Sequence, residues 1–111
     1  MSQPVTVLCT YRVVPGKEVE FEALLAKHHP TLRAEGLASD RVPQAFRGSD
    51  GTGGPVFYEL FEWKDEASAE LAHQSPAVMA IWEPIGELCE SREGRPPCEF
   101  PHVEPVALAG S

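Results

Sequence analysis

The 111-residue chain predicts an α+β fold of order βαββαβ, an antiparallel sheet with helices on one face. Two observations carry that expectation. The first is the run Phe57-Tyr58-Glu59-Leu60-Phe61-Glu62-Trp63, which passes through Lys64 into Asp65, a residue suited to cap a helix. The second is the opening segment Val5–Val14, which alternates and then stops at Pro15-Gly16 before a stretch of helical periodicity. The first run is apolar on both faces, and each face holds one carboxylate. Glu62 sits with Val56, Tyr58 and Leu60; Glu59 sits with Phe57, Phe61 and Trp63. A sheet with one face in water alternates apolar and polar residues cleanly, so a doubly apolar strand needs cover twice. The chain's own helices can cover one face. A second subunit or a ligand must cover the other.

The elements follow in order. In the first strand Val5, Val7, Cys9, Tyr11 and Val13 share one face, and Thr6, Leu8, Thr10 and Arg12 share the other. A helix is expected from about Lys17, with Phe21, Leu24, Leu25, His28 and Leu32 as its buried stripe and His29 turned toward the surface. Pro30 removes a backbone donor, so a kink or break is expected near His28-His29, and Gly36 stops the helix. Val42–Arg47 reads as an edge strand, because Pro43 cannot donate to a ladder. The glycine-rich Ser49–Pro55 segment is a hairpin loop; with a strand behind it and only an acidic charge, it is a poor phosphate cradle. A helix from Asp65 to about Gln74 is followed by a second start at Ser75-Pro76. Val78, Ile81, Trp82, Ile85, Leu88 and Cys89 continue one stripe, which places Trp82 in the core, and Pro84 bends this helix. After the break at Gly94–Pro97, residues Cys98–Val106 form a last strand interrupted by Pro101 and Pro105. This order is the ferredoxin-like split unit.

A formal charge of −8, with no Lys/Arg run, excludes a nucleic-acid or anionic-membrane partner. No segment approaches the roughly 20 apolar residues of a membrane span, and Met1-Ser2-Gln3-Pro4 has neither the basic nor the apolar region of a signal peptide. Three cysteines cannot all pair internally, and none lies in a CxxC, so reduced thiols in a cytoplasm are expected. Length allows one domain, residues 1–111, whose thin core would gain from dimerisation.

The chain resembles the dimeric α+β barrel superfamily and, within it, the antibiotic-biosynthesis-monooxygenase-like domains. The residues that carry the likeness are Val5–Val14 with Pro15-Gly16-Lys17, the helix exit Leu32-Arg33-Ala34-Glu35-Gly36, and Tyr58–Ala67 continuing to His73 and Ser75-Pro76. They span roughly the first 80 residues. The resemblance implies a homodimer whose sheets pack face to face, each monomer keeping a pocket between sheet and helices. It also implies oxidation of aromatic or polyketide-like phenols or quinols with dioxygen and no cofactor, or haem degradation, while many members have no known activity. The haem-degrading members use an Asn on the first strand. This chain has Thr6 and Thr10 there and no Asn anywhere.

Among residues able to do chemistry, His73 and His28 are the candidate bases, since an imidazole titrates near neutrality. Glu62 is the favoured carboxylate partner, because Val56, Tyr58 and Leu60 would desolvate it. For either strand carboxylate the competing account is a structural salt bridge to Arg12 or Arg47. Arg12, Trp63, Trp82 and His102 are the candidates to line a pocket for a small aromatic ligand. No HxH, HxxE or HExxH spacing occurs, so no metal site is expected from sequence; one built from His28, His73, His102 and a Glu would need tertiary convergence. The alternative to an enzyme is a non-catalytic module of the same fold that binds a small ligand or serves assembly.

Overall fold

The computed structural model describes residues 3–109. Its elements are β1 (Val5–Arg12), α1 (Glu18–Ala34), β2 (Gln44–Gly48), β3 (Val56–Trp63), α2 (Glu66–Ala72), α3 (Pro76–Glu87), β4 (Cys98–Glu99) and β5 (His102–Val103). The antiparallel sheet runs β2-β3-β1-β4, with β5 continuing beside β1. The long pairing is β1 with β3, from Val5 opposite Trp63 to Arg12 opposite Val56. This register decides which residues share a face. Val7, Cys9, Tyr11 and Val13 point the same way as Phe57, Glu59, Phe61 and Trp63, and all eight are buried.

Helices cover that face. Phe21 and Leu32 of α1 and Val78, Ile81 and Ile85 of α3 meet it, at 0–7 % exposure. Aromatic rings knit the layers together: Phe21 packs on Tyr11 and Phe57 at centroid separations of 5.0 and 4.9 Å. The two helix starts in the second half have the caps their sequence offers. Asp65 accepts from the Ser68 backbone N–H at 2.9 Å, and Ser75 Oγ accepts from that of Val78 at 3.3 Å, with Pro76 at the first turn.

Four expectations need correction. Helix α1 continues past Pro30 to Ala34 without the expected break. His29 is buried rather than at the surface, because the chain leaving α1 folds back and the Ser39 carbonyl accepts from His29 Nε2 at 3.1 Å. Trp82 is half-buried, since its part of α3 faces a cavity and not solid core. The last strand is two short pieces, separated at Phe100-Pro101 and ending at Val103. The Pro101 carbonyl still accepts from Leu8 N–H, while Pro101 itself has no N–H to give.

The opposite face of the sheet carries Leu8, Thr10, Tyr58, Leu60 and Phe46, placed together by the β1–β3 and β2–β3 registers. Leu8 is 38 % and Phe46 55 % exposed.

Candidate functional site

A cavity of about 410 Å³ lies between the helix-side face of the sheet, α1, α3 and the C-terminal segment. Its walls are mainly apolar and aromatic, among them Val7, Phe61, Trp63, Ile85 and Phe100; His73 and His102, both exposed, stand at its edge. A cavity of this size and character suits a small organic ligand. A wider, more open groove of about 520 Å³ lies between α1 and β2, on the other flank of Glu59. The first cavity is the candidate site because a chain of polar groups ends at its wall.

That chain begins at Tyr11, whose hydroxyl donates to Glu59 Oε1 at 2.9 Å. His28 Nδ1 lies 2.9 Å from Glu59 Oε1 and 3.1 Å from Oε2. At the other side of the same ring, Trp82 Nε1–H donates to His28 Nε2 at 2.9 Å. An indole nitrogen can only donate, so Nε2 must hold a lone pair and the proton of a neutral imidazole is on Nδ1, aimed at the carboxylate. The donor pattern therefore assigns a neutral His28 and an ionised Glu59. Tyr11, His28 and Glu59 are each 2 % exposed. A buried carboxylate without partners is costly; this one accepts from a phenol and an imidazole, and bonds to a charged acceptor are the stronger kind.

Local structure explains the placement. Glu59 pairs directly with Cys9 across the ladder, which sets Tyr11 two residues along the same face. His28 comes from the buried stripe of α1 one turn before Leu32, and its ring stands edge-on to Phe61 at 5.3 Å. The charge of Glu59 marks its neighbours. Burial first, and then that negative charge, push the Tyr11 phenol well above its ordinary value of 10.0, so it stays a donor. The same two causes raise the Cys9 thiol, which makes it a poor nucleophile.

The structure brings His28, His73, Trp63, Trp82 and His102 together around the cavity. The His73 ring stacks edge-on to Trp82 at 5.0 Å, at the C-terminal end of α2. It leaves Glu62 and Arg12 elsewhere. Glu62 points to the opposite face and lies 3.5 Å from exposed Arg41, so the expected pairing of Glu62 with a histidine is corrected to Glu59 with His28. Arg12 is buried on the sheet's other face and bonded to Asp50, Glu99 and the Pro96 carbonyl; it neither lines the cavity nor bridges to Glu59 or Glu62. Arg47 pairs with Glu18. Of the two strand carboxylates it is Glu59, not the favoured Glu62, that belongs to the site, and Tyr11, expected first of all in the core, joins it. Among the described residues no three His, Cys, Asp or Glu side chains are grouped as a metal ion would require, and no helix is long and apolar enough to cross a membrane.

No family model matches the chain, and no curated protein matches it in sequence. Solved structures do match in fold. A protein from Bordetella bronchiseptica, provisionally named an antibiotic biosynthesis monooxygenase, aligns with a TM-score of 0.69 at 19 % identity, covering 96 % of this chain and 100 % of that one. SnoaB, a cofactor-independent oxygenase from Streptomyces nogalater, aligns at 0.66 and 13 % identity over 99 % and 100 % of the two chains. A conserved protein from Methanosarcina mazei Go1 gives 0.66 at 20 % identity, with 90 % of each chain covered. At such identities the likeness is one of fold. The chain has the antibiotic-biosynthesis-monooxygenase-like fold, an α+β unit whose antiparallel sheet is helix-covered on one face.

Proposed function

We propose that the protein binds a polycyclic phenol or quinol in the 410 Å³ cavity and oxidises it with dioxygen, His28 acting as general base. The observation that carries this reading is the Glu59–His28 pair, with Nε2 of the histidine hydrogen-bonded to half-buried Trp82 at the cavity. A carboxylate bound to Nδ1–H fixes the ring and stabilises the imidazolium that forms when Nε2 takes a proton. A substrate hydroxyl arriving at Nε2 displaces the Trp82 N–H. His28 takes the phenolic proton, and the freed indole N–H is left to donate to the phenolate. An electron-rich phenolate reduces dioxygen by one electron. The radical pair then joins at a ring carbon that bears hydrogen, and the peroxide takes back the proton held on His28 Nε2. The resulting hydroperoxide loses water, its O–O bond breaking as the ring C–H gives up its proton, and a carbonyl is left. One dioxygen is consumed and one water released per quinone formed. That SnoaB, which shares the fold, is a cofactor-independent oxygenase supports the same chemistry without an added group.

The test is oxygen uptake by the purified protein with a polycyclic quinol, paired with product analysis. One quinone per dioxygen is expected, with His28→Gln slower by about 10²-fold, the usual worth of a general base. Uptake equal to the protein-free rate would overturn the reading. One observation favours the alternative, a binding module without turnover: the polar atoms of the Tyr11–Glu59–His28–Trp82 chain are all partnered with one another. That alternative is met if the quinol quenches tryptophan fluorescence saturably while no oxygen is consumed.

The working unit in this proposal is a homodimer that buries the Leu8/Phe46/Tyr58/Leu60 face, whose exposed apolar groups need cover. Its place is the cytoplasm, in keeping with three free thiols.

A further inference from the structure

Two of the three cysteines stand side by side, outside the chain of groups that serves the proposed base. Cys89, just past the end of α3, bridges Val13; Cys98, opening β4, pairs with Tyr11. Both use the same edge of β1. Val14 N–H donates to the Leu88 carbonyl, Glu90 N–H to that of Arg12, and Arg12 N–H to that of Pro97, each at 2.8 Å. The edge is thus one interrupted strand, residues 88–90 followed by 97–99, with the turn between them looped out. Cys89 and Cys98 occupy positions equivalent to two residues apart. Their side chains leave on the same face, and the two thiols are near enough to interact directly.

We propose that Cys98 and Cys89 form a peroxide-reactive dithiol, with Cys98 the attacking and Cys89 the resolving thiol. Cys98 lines the cavity beside Phe100 and His102, both exposed, so a small oxidant reaches it through the cavity mouth. Cys89 is 9 % exposed and lies behind it. The protonation pattern agrees with those roles. The hydrogen bond from Cys89 holds the Cys98 thiol below its ordinary value and Arg12 adds to this, against the effect of burial. The same bond and burial push Cys89 up. Reactivity follows the thiolate.

The chemistry closes without a further reactant. Cys98 sulfur attacks one oxygen of hydrogen peroxide; an S–O bond forms, the O–O bond breaks, and the leaving hydroxide becomes water on protonation. The sulfur is now a sulfenic acid. Cys89 sulfur attacks it, the S–S bond forms, and the sulfenic hydroxyl leaves as a second water with the Cys89 proton. Two thiols and one peroxide give one disulfide and two waters. Cys9, 0 % exposed and with its thiol raised, takes no part.

The experiment treats the reduced full chain with a small molar excess of hydrogen peroxide and follows intact mass, thiol count and peptide map. The expected result is a loss of two hydrogens, a fall from three free thiols to one, and a single cross-linked peptide joining Cys89 to Cys98. In Cys89→Ser, Cys98 should stop at the sulfenic acid and be trapped by dimedone; in Cys98→Ser, the remaining thiols should stay reduced over the same period. Oxidation of Cys9 ahead of Cys98, or over-oxidation of Cys98 in the wild type with Cys89 still free, would overturn the proposal. None of these readouts depends on a substrate for the cavity, so the result stands whether or not the oxygenase reading does.

Discussion

Replacing Tyr11 by Phe isolates the bond that fixes the buried carboxylate. The phenyl ring keeps its place against Phe21, 5.0 Å away, so packing is preserved and only the hydroxyl is lost. That hydroxyl is one of two donors to a carboxylate 2 % exposed, the other being His28. Hydrogen bonds to charged groups are worth about 1.5–3 kcal/mol, and this acceptor is buried. For a chain of this size each kcal/mol moves the thermal midpoint by roughly 4 °C, so a fall of about 6–12 °C is expected by calorimetry at neutral pH. A double-mutant cycle sharpens the point. In the Glu59→Gln background the acceptor is neutral, and the same Tyr11→Phe change should cost only about 0.5–1.5 kcal/mol. A midpoint within a degree of wild type for Tyr11→Phe alone would refute the reasoning, because Glu59 would then have neither the charge nor the partners assigned to it.

Three further outcomes follow from the same structure. Trp82→Phe removes the donor to His28 Nε2 from a half-buried position, so it should cost about 1 kcal/mol, well below the ~3–5 kcal/mol of a core aromatic deletion; urea unfolding checks this. Asp50 is held at about 2, below its ordinary 3.8, by the Thr52 hydroxyl first and then by the Thr52 backbone and Arg12. A depressed folded value gives stability that is complete above the unfolded value and is lost as pH falls toward the folded one. Asp50→Asn should therefore flatten the acid limb of the stability profile between about pH 4 and 2, and an unchanged limb would assign that loss to other groups. Sedimentation at micromolar protein should give about twice the chain mass of 12.1 kDa; a clean monomer would leave the Leu8/Phe46 face without its proposed cover.

Much of the fold was legible in the residues. The alternation of Val5–Val14 placed Val7, Cys9, Tyr11 and Val13 on one face, and the Asp65 and Ser75-Pro76 signals marked the two later helix starts. The site was less legible for a specific reason. Strand β3 is nearly symmetric in sequence, three apolar groups and one carboxylate on each face, so local pattern does not say which face meets the helices. Pairing with β1 decides it, by setting Cys9 opposite Glu59, and that is a contact across fifty residues. Tyr11 read as core because its ring is core; its hydroxyl, reaching Glu59, ties it to the polar chain of the site. His29 was misplaced because helical rotation alone turns it outward, and the return of residues 37–39 beneath α1 is not a local signal. His73 and His102 reach the cavity edge from separate elements, a convergence that spacing in the chain does not encode.

The most direct test of the central claim is the charge state of a bound phenol. A polycyclic phenol whose phenolate absorbs at longer wavelength is titrated into the protein without oxygen, at a pH below the phenol's own pKa. The account predicts the phenolate spectrum in the wild type, the proton having passed to His28 Nε2, and the neutral phenol spectrum in His28→Gln. A phenol that binds in the cavity of the wild type and stays neutral would contradict it.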